Sequence, residues 1–537
     1  MTHPFVTLDR VSYALPDGRR LFSGLNLDLD ARRTALVGRN GVGKSILAEL
    51  VAGQRVPATG QRVSRVRTFH LPQRLAPAPG VTVAALAGVS AALDALARIE
   101  AGGIDECDFD LVAGRWGLRQ RVRALLDRHG LGHLRPEQSA DTVSGGEQTR
   151  VALLGAWLAE ADVLVLDEPT NHLDRVQRAA LRTQLLAWNG GLLVVSHDRA
   201  LLHTMERILE LDADGLHDYP GDYASYRRAG AAAQRRAEEV LARRKLERRR
   251  GEAELRAQRE RQERRAARGS RSAREANQAP ILLGMQKQRS EASAGRLERR
   301  RTERRAMLQA QVAEAARNVG SDADIVVFTP AAATACMRRA LVLDGLVLPR
   351  GAAGTRPLDL VVHGGQRIGV VGENGSGKST LLHVLAGRLA PLQGRCEVAV
   401  PFALLDQTLE LLSAECSVLQ QLNAQAPGTD AASLRSRLAL LGFDASAVAR
   451  RPCQLSGGER LKAALAVALY RDDPAGLLLL DEPDNHLDLA ALGALERMLQ
   501  QYRGALVVVS HDEAFLDALS LDTRIETGPD GWRVSAW

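Results

Sequence analysis

Short, continuous apolar runs recur along the chain, and several of them end at glycine or at acidic residues. ALVG ends at residue 38 and IGVVG at residue 372, while ADVLVLDEP (161–169) and GLLLLDEP (476–483) end in paired carboxylates. Such runs are typical of strands buried on both faces of a parallel sheet. The stretches that follow the two glycines, ILAELVAG and TLLHVLAG, have helical spacing. The pattern predicts an α/β fold.

The chain is an internal duplication. GRNGVGKS at 38–45 returns as GENGSGKS at 372–379, and SGGE at 144–147 returns at 456–459. LVLDEPTNHLD and LVVSHD in the first half return, in the same order, as LLLDEPDNHLD and VVVSHD. A repeat of this length means two copies of a whole domain rather than a solenoid of short units.

The first copy carries an insertion. Gln73 and Gln407 are 334 residues apart, and so are the first glycines of the two glycine-rich motifs. Ser144 and Ser456, in contrast, are only 312 residues apart. The first copy therefore holds about 22 extra residues between positions 74 and 143.

A basic segment of different composition, residues 227–317, separates the copies. It contains 27 Lys and Arg against 12 Asp and Glu, a net charge of +15, whereas the whole chain carries +7. Its composition favours helix, and Gly-Ser at 269–270 and Pro280 are expected to break that helix into an antiparallel hairpin, with arms of roughly 50–60 Å. The apolar tip at 277–286 either packs the turn or contacts RNA.

We expect three parts: a first copy of the domain at 1–228, a helical hairpin linker at 229–318 and a second copy at 319–537. The sequence contains no run of 18 or more apolar residues that could span a bilayer, and the N-terminus lacks the pattern of a secretory signal. We therefore expect a cytoplasmic protein. The five cysteines form no CxxC pair, which argues against a zinc site or a disulfide framework.

Each GxxxxGK[ST] motif is a phosphate loop. Its glycines let backbone N–H groups surround phosphates, its lysine reaches the β- and γ-phosphates, and its serine binds Mg²⁺. The predicted ATP-binding residues are Gly38, Asn40, Gly41, Gly43, Lys44, Ser45 and Ile46 in the first copy and Gly372, Asn374, Gly375, Gly377, Lys378, Ser379 and Thr380 in the second.

The paired acids at the strand ends suit attack of water on a bound γ-phosphate. Asp167 and Asp481 are candidates to hold Mg²⁺ together with Ser45 and Ser379. Glu168 and Glu482 are candidates to polarise the attacking water.

These motifs resemble those of the ABC ATPases over nearly the whole chain. SGGE resembles the signature motif of that family, in which a serine and two glycines bind the γ-phosphate presented by the opposite cassette. The resemblance implies two composite ATP sites, with signature residues Ser144, Gly145 and Gly146 in one cassette and Ser456, Gly457 and Gly458 in the other.

The family resemblance assigns further roles. It implies that Gln73 and Gln407 sense the metal and the water, that His197 and His511 contact the γ-phosphate, and that Tyr13 stacks on adenine. The second copy departs from the family, because it has no aromatic residue at the position of Tyr13 and has Asp484 where the family has Thr. We expect hydrolysis to survive both departures.

EPTNHLD, the paired cassettes and the charged linker resemble the F subfamily of ABC proteins. The resemblance implies a monomer that pairs its own cassettes and binds the ribosome, including rRNA and tRNA. It also implies that the insertion corresponds to an arm that some members use to touch the ribosome. Translation regulation and protection from antibiotics are both possible outcomes.

Three alternatives stay open. The linker could be a solvated coiled-coil spacer. A DNA-maintenance ATPase of the same subfamily would also carry a basic linker, but that branch tends to have an extra C-terminal coiled coil, and only 26 residues follow His511. The ATPase subunit of a membrane transporter would need a membrane partner and normally lacks both this linker and NHLD.

Overall fold

The computed structural model divides the chain into two compact units, one of residues 1–226 with 325–537 and one of residues 227–324. It describes residues 4–73, 75, 80–171, 173–275, 280–318, 339–349, 357–528 and 531–537. Within the helices, only the backbone is described at 266, 269–275, 280–294 and 297.

Two sheets form the first cassette. Its strands are β1 (Val6–Ala14), β2 (Arg20–Leu29), β3 (Arg33–Gly38), β4 (Thr59–Ser64), β5 (Thr68–Leu71), β6 (Val163–Asp167), β7 (Gly191–Val195), β8 (Arg207–Leu211) and β9 (Leu216–Pro220). One sheet is antiparallel, in the order β2-β1-β4, and the other has the order β5-β6-β7-β3-β8-β9. All neighbours in the larger sheet are parallel except β8 and β9.

The helices of the first cassette are α1 (Lys44–Ala52), α2 (Val83–Leu86), α3 (Ser90–Glu100), α4 (Glu106–Val112), α5 (Leu118–Arg128), α6 (Gly145–Leu158), α7 (Arg175–Leu186) and α8 (Arg199–Leu202), with a 3₁₀ turn at Ala140–Thr142. They pack on the larger sheet, as α1 and α6 do, or form a separate helical cluster built on α6. Every residue of β6 and β7 is buried, because apolar side chains pack on both faces of the sheet.

The second cassette repeats this plan. Its strands are β10 (Arg339–Val347), β11 (Leu358–His363), β12 (Arg367–Val371), β13 (Gln393–Val398), β14 (Phe402–Leu405), β15 (Leu477–Asp481), β16 (Ala505–Val509), β17 (Thr523–Gly528) and β18 (Gly531–Ala536). The sheet orders, β11-β10-β13 and β14-β15-β16-β12-β17-β18, match those of the first cassette strand for strand. The predicted duplication and the α/β fold are confirmed.

The second cassette has fewer α-helices than the first in the described interval before the helix that begins at SGGE, which we call the signature helix. The helices are α11 (Lys378–Leu385), α12 (Val418–Gln425), α13 (Ala431–Leu440), α14 (Gly457–Tyr470), α15 (Leu489–Gln501) and α16 (Glu513–Ala518), with 3₁₀ turns at Ala447–Ala449 and Pro452–Gln454. In the first cassette, α3 and α4 pack on each other in the corresponding interval, and Arg98 of α3 pairs with Asp108 of α4 at 2.6 Å. This helix pair occupies the interval in which the sequence has extra residues.

Two long helices form the unit between the cassettes. They are α9 (Tyr223–Glu275) and α10 (Pro280–Asn318). Arg301 of α10 donates to Gln262 of α9 at 2.8 Å, and a Cβ on Gly251 would lie 2.6 Å from Leu308. The later residue of α9 contacts the earlier residue of α10, and the earlier residue of α9 contacts the later one, so the two helices are antiparallel.

The predicted break at Gly-Ser 269–270 is wrong, because α9 continues through both residues to Glu275. A single glycine costs only about 1 kcal/mol in a helix, which its long flanks of good helix formers offset. Pro280 is the first residue of α10, where its missing N–H costs nothing. Residues 277–279 of the predicted apolar tip lie outside the described residues.

In the part of the chain that the structure describes, no helix is both long enough and apolar enough to cross a membrane.

Candidate active site

The first phosphate loop joins β3 to α1. It ends at Gly43, whose φ of 108° lies in the left-handed region that favours glycine. A Cβ on Gly38 would lie 2.2 Å from the Leu211 carbonyl oxygen, so glycine is required where β3 passes β8. Lys44 Nζ donates to the carbonyl of Gly38 at 2.7 Å. The loop therefore curls around its own lysine, at the N-terminus of a helix, where anions are favoured.

The second phosphate loop has the same geometry. Gly377 has a φ of 101°, and Lys378 Nζ donates to the carbonyls of Gly372 at 3.0 Å and Glu373 at 2.8 Å. Burial lowers the pKa of both loop lysines, and the neighbouring carboxylates oppose this shift. Both lysines are held in place before any phosphate arrives.

The aspartates at the ends of β6 and β15 lie beside the loop serines. Asp167 is hydrogen-bonded to Ser45, and Asp481 to Ser379; burial raises the pKa of both carboxyls. One oxygen of each aspartate, Oδ1, is buried and has no hydrogen-bond partner among the described residues. A hydroxyl next to a carboxylate oxygen that lacks a partner is a donor set that suits Mg²⁺.

Both glutamates that follow these strands have a left-handed backbone. Glu168 has φ 47° and Glu482 has φ 48°, an uncommon conformation for a residue with a side chain. Each backbone N–H is held by the neighbouring strand, with Glu168 donating to Val195 at 2.8 Å and Glu482 donating to Val509 at 2.9 Å. Backbone strain of this kind tends to collect at functional sites.

The two glutamates differ electrostatically. Burial raises the pKa of Glu168 to about 8, although the charge of Lys44 opposes the shift. Burial alone would also raise the pKa of Glu482, but His511 and the Lys378 charge hold that pKa below its usual value. The second glutamate has additional donors, namely Asn485 Nδ2 at 2.5 Å and Gln407 Nε2 at 3.2 Å from Oε2.

A histidine approaches each glutamate. His197 Nε2 lies 3.4 Å from Glu168 Oε1, and His511 Nε2 lies 3.5 Å from Glu482 Oε1. Burial and the Lys44 charge lower the pKa of His197 to about 3, so this imidazole is neutral near pH 7. The predicted glutamates, histidines and phosphate loops thus meet in both cassettes.

A cavity of about 500 Å³ opens at the first phosphate loop. Ten predicted residues line it, namely Asn40, Gly41, Gly43, Lys44, Ser45, Ile46, Gln73, Asp167, Glu168 and His197. The opposite wall comes from the second cassette and includes Asp484, Asn485 and His486, whereas the second signature residues Ser456, Gly457 and Gly458 are not part of the lining.

Tyr13 does not line this cavity. Its hydroxyl accepts a hydrogen bond from Arg55 at 2.7 Å, and the Arg55 guanidinium lies 5.5 Å from the centre of the ring. Leu15, Arg19 and Leu21 lie at the cavity wall instead. The apolar surface available to a base therefore comes from Leu15 in the β1–β2 turn and Leu21 at the start of β2, and not from the predicted aromatic residue.

Residues after the second glutamate contact the first phosphate loop. Asn40 Nδ2 donates to the His486 carbonyl at 2.8 Å, and the Asn40 N–H donates to Asp488 Oδ2 at 2.9 Å. A Cβ on Gly457 would lie 3.8 Å from the same His486 oxygen, so the second signature begins close by. At the second phosphate loop, burial lowers the pKa of Lys378, and the charge of Asp174 from the first cassette is among the charges that oppose this shift. A residue of each NHLD segment therefore lies near the phosphate loop of the other cassette.

Each signature helix is capped at its N-terminus by a serine and a glutamate, and no role was predicted for the glutamate. Ser144 Oγ donates to Glu147 Oε2 at 2.6 Å, and Ser456 Oγ donates to Glu459 Oε2 at 2.8 Å. Each glutamate also closes a capping box with its serine. The S-x-x-E spacing is the sequence signal for this arrangement. The aspartates of NHLD were also missed, although their repetition in both copies marks them.

Paired parallel sheets with phosphate loops, acidic strand ends and capped SGGE helices define a tandem ATP-binding cassette protein. The family model described as ABC transporter matches residues 22–171 and 355–485, one segment in each cassette. Over 534 residues the chain is 32% identical to the tylosin resistance ATP-binding protein TlrC of Streptomyces fradiae, covering 92% of both chains.

Two further relatives span most of this chain. The ATP-binding protein Uup of Caulobacter vibrioides is 31% identical, covering 96% of this chain and 78% of its own length. The human ATP-binding cassette sub-family F member 3 is 29% identical, covering 96% and 72%. The chain therefore belongs to the F subfamily of the ABC transporter ATPase family, and it is an ATPase that binds ATP.

Solved structures give the same fold. An RNase-L inhibitor covers 98% of this chain and 89% of its own, with a TM-score of 0.57 and 21% identity. An archaeal ribosome recycling factor, in complex with a ribosomal stalk protein, gives a TM-score of 0.57 at 20% identity, with the same coverage. At these identities the likeness supports the arrangement of two cassettes alone.

Proposed function

We propose that this ATPase binds the ribosome in its ATP-bound state and thereby regulates translation or protects ribosomes from an antibiotic. Its contacts are with rRNA and tRNA, and the helical hairpin makes them. The main support for this proposal is the concentration of positive charge on the hairpin, which lies between the two ATP-binding cassettes in the sequence.

The hairpin charge suits a polyanion. Residues 227–317 carry 27 basic against 12 acidic residues, so the acidic residues of the segment leave a net charge of +15. Some acids form ion pairs along the helix, as in Arg243–Glu247 at 3.2 Å and Arg259–Glu263 at 2.8 Å, but these pairs are largely exposed and weak. Arginines on a rod bind phosphates and release their counterions, which makes such binding strongly salt-dependent.

The proposed cycle uses both composite sites. Ser45, Asp167 and Gln73, and likewise Ser379, Asp481 and Gln407, would hold Mg²⁺, which would supply positive charge to offset that of the phosphates. Glu168 and Glu482 orient the attacking water, while His197 and His511 contact the γ-phosphate. Residues Ser144–Gly146 and Ser456–Gly458 bind the γ-phosphate of the opposite site once the cassettes close. Closure and release then change the position of the hairpin.

We propose a separate role for each segment of the chain. Residues 1–228 and 319–537 bind and hydrolyse ATP within one monomer in the cytoplasm, and residues 229–318 engage the ribosome. The S. fradiae relative is named for tylosin resistance, which supports protection from an antibiotic as one outcome.

Co-sedimentation tests the proposal. The full chain and a variant lacking 229–317 are mixed with purified ribosomes, with duplex DNA or with washed membranes, in rising salt. We expect the full chain alone to pellet with ribosomes and salt to release it. Retention on DNA or membranes, with no binding to ribosomes, would instead support a DNA-maintenance ATPase or a transporter subunit.

A further inference from the structure

The two cassettes face each other with opposite charges. In the first cassette, the contact side carries Arg175 and Arg178 on α7 and Arg199 on α8. In the second, it carries carboxylates, namely Asp484, Glu496, Asp512 and Glu513. We call these two sets the basic face and the acidic face.

Ion pairs join the two faces. Arg199 Nη1 lies 2.6 Å from Glu496 Oε1, and the side chains are only 11% and 13% exposed. Arg175 Nη2 lies 2.9 Å from Glu513 Oε1 in a more exposed pair. Burial raises the pKa of both Asp484 and Asp512, and the nearby charge of Arg178, which also contacts Asp198 at 3.4 Å, opposes the shift.

The buried pair is the sensitive contact. Nε and Nη2 of Arg199 have no hydrogen-bond partner among the described residues, so Glu496 provides the main compensation for its charge. Burial alone would lower the pKa of Arg199, but the hydrogen bond and charge of Glu496 raise it. A buried cation that loses its partner is strongly destabilising.

The duplication makes this charge arrangement one-directional. The offset of 314 residues that relates Asp167 to Asp481 also relates Arg182 to Glu496 and Arg199 to Glu513. Two first cassettes paired in the same way would bring Arg199 against an arginine. Two second cassettes would bring Glu513 against a glutamate. Like charges at an interface reject such pairings, whereas opposite charges select the mixed one.

We infer that the basic and acidic faces form a charge lock that specifies pairing of a first with a second cassette, with Arg199–Glu496 as its central specificity-determining pair. The lock positions Asp488 and His486 against the first phosphate loop and so prepares that site for catalysis. The residues of the lock are positioning residues, since they act on the site through the NHLD segment. The inference rests on ATP hydrolysis and does not depend on the ribosome as the target.

A charge-reversal cycle on the full chain tests the lock. ATP turnover without ribosomes is measured for Arg199→Glu, for Glu496→Arg and for the double variant that exchanges the two charges. We expect each single reversal to lower turnover at least about tenfold and the exchange to return it to within about threefold of the wild type. Arg435→Glu, at an exposed position on α13 of the second cassette, is the control for a charge change and should have no effect.

If the exchanged variant is no more active than the worse single variant, the inference is overturned, because packing alone would then explain the losses. If a single reversal fails to fold by circular dichroism, Glu496→Gln takes its place; it is expected to fold and to lose several-fold in turnover, and wild-type turnover would contradict the lock. Rescue by exchange in a chain that does not bind ribosomes would leave the lock intact and refute only the proposed function.

Discussion

Asn40 of the first phosphate loop donates its side-chain amide to the carbonyl of His486, in the cassette encoded more than 400 residues later. Its backbone N–H donates to Asp488 from the same segment. One loop residue therefore bonds both its own lysine, at 3.3 Å, and the opposite cassette. Asn40 therefore links the first phosphate loop directly to the second cassette.

Substitution of Asn40 should slow ATP hydrolysis. Asn40→Ala removes the side-chain hydrogen bond to His486, a loss of about 1–2 kcal/mol, so we expect ATP turnover to fall roughly tenfold with a higher KM. Steady-state ATPase assays over a range of ATP concentrations check this. Asn423→Ala, at an exposed position on α12, is the matched control. Turnover equal to that of the control would show that the contact is dispensable.

The two glutamates should each be needed as water-polarising groups. We expect Glu168→Gln and Glu482→Gln to slow hydrolysis individually and the double variant to slow it at least about 100-fold, the usual contribution of a positioned base. ATP binding should persist, since neither side chain belongs to a phosphate loop. Phosphate release and nucleotide binding, measured in parallel, separate the two effects. Normal hydrolysis by the double variant would exclude both glutamates from the chemistry.

Asp484 should make stability depend on pH. Burial and, to a smaller extent, the charge of Asp512 raise the pKa of Asp484 from 3.8 to about 7. A hydrogen bond from Ser510 and the charge of Arg178 oppose this shift. Burial raises the pKa of Asp512 as well, and the charge of nearby Asp198 adds to that shift. The native chain therefore binds more protons than the unfolded chain between these values, and stability falls as pH rises through that window. Asp484→Asn removes the cost of a buried charge.

We expect Asp484→Asn to raise stability on the order of 1–3 kcal/mol at pH 8 and to change it little at pH 4. Urea unfolding, followed from pH 4 to pH 8, measures the difference. Asp472→Asn, at an exposed carboxyl of the same cassette, serves as the control. A constant difference between Asp484→Asn and the wild type across this range would show that Asp484 does not take up a proton.

Glycines of the hairpin should respond differently to alanine. A Cβ on Gly230 meets nothing within 4 Å, whereas a Cβ on Gly251 would lie 2.6 Å from Leu308 Cδ1. Gly230→Ala should therefore stabilise its helix by about 1 kcal/mol, and Gly251→Ala should gain less or destabilise the pair. Amide hydrogen exchange across α9 and α10 in the full chain reports both changes. Equal protection in the two variants would contradict the packing of α9 on α10 at Gly251.

Much of the fold could be predicted because it depends on local signals. Apolar runs that end at Gly38 or Asp167 identify buried parallel strands, and the repeat requires the same architecture twice. The hairpin was predicted, but the break at 269–270 was not correct, since long helical flanks override a single glycine. Sequence alone also could not place Tyr13, because its pairing with Arg55 depends on side-chain orientation. The opposed charges of Arg199 and Glu496 lie in the sequence, but only the fold brings them together.

Ribosome binding by the Glu168→Gln, Glu482→Gln variant, with and without ATP at physiological salt, tests the proposed function most directly. Because we expect this variant to bind ATP without hydrolysing it, we expect stable, ATP-dependent retention on ribosomes that is lost when 229–317 is deleted. Equal retention with and without ATP, or retention on DNA in place of ribosomes, would contradict it.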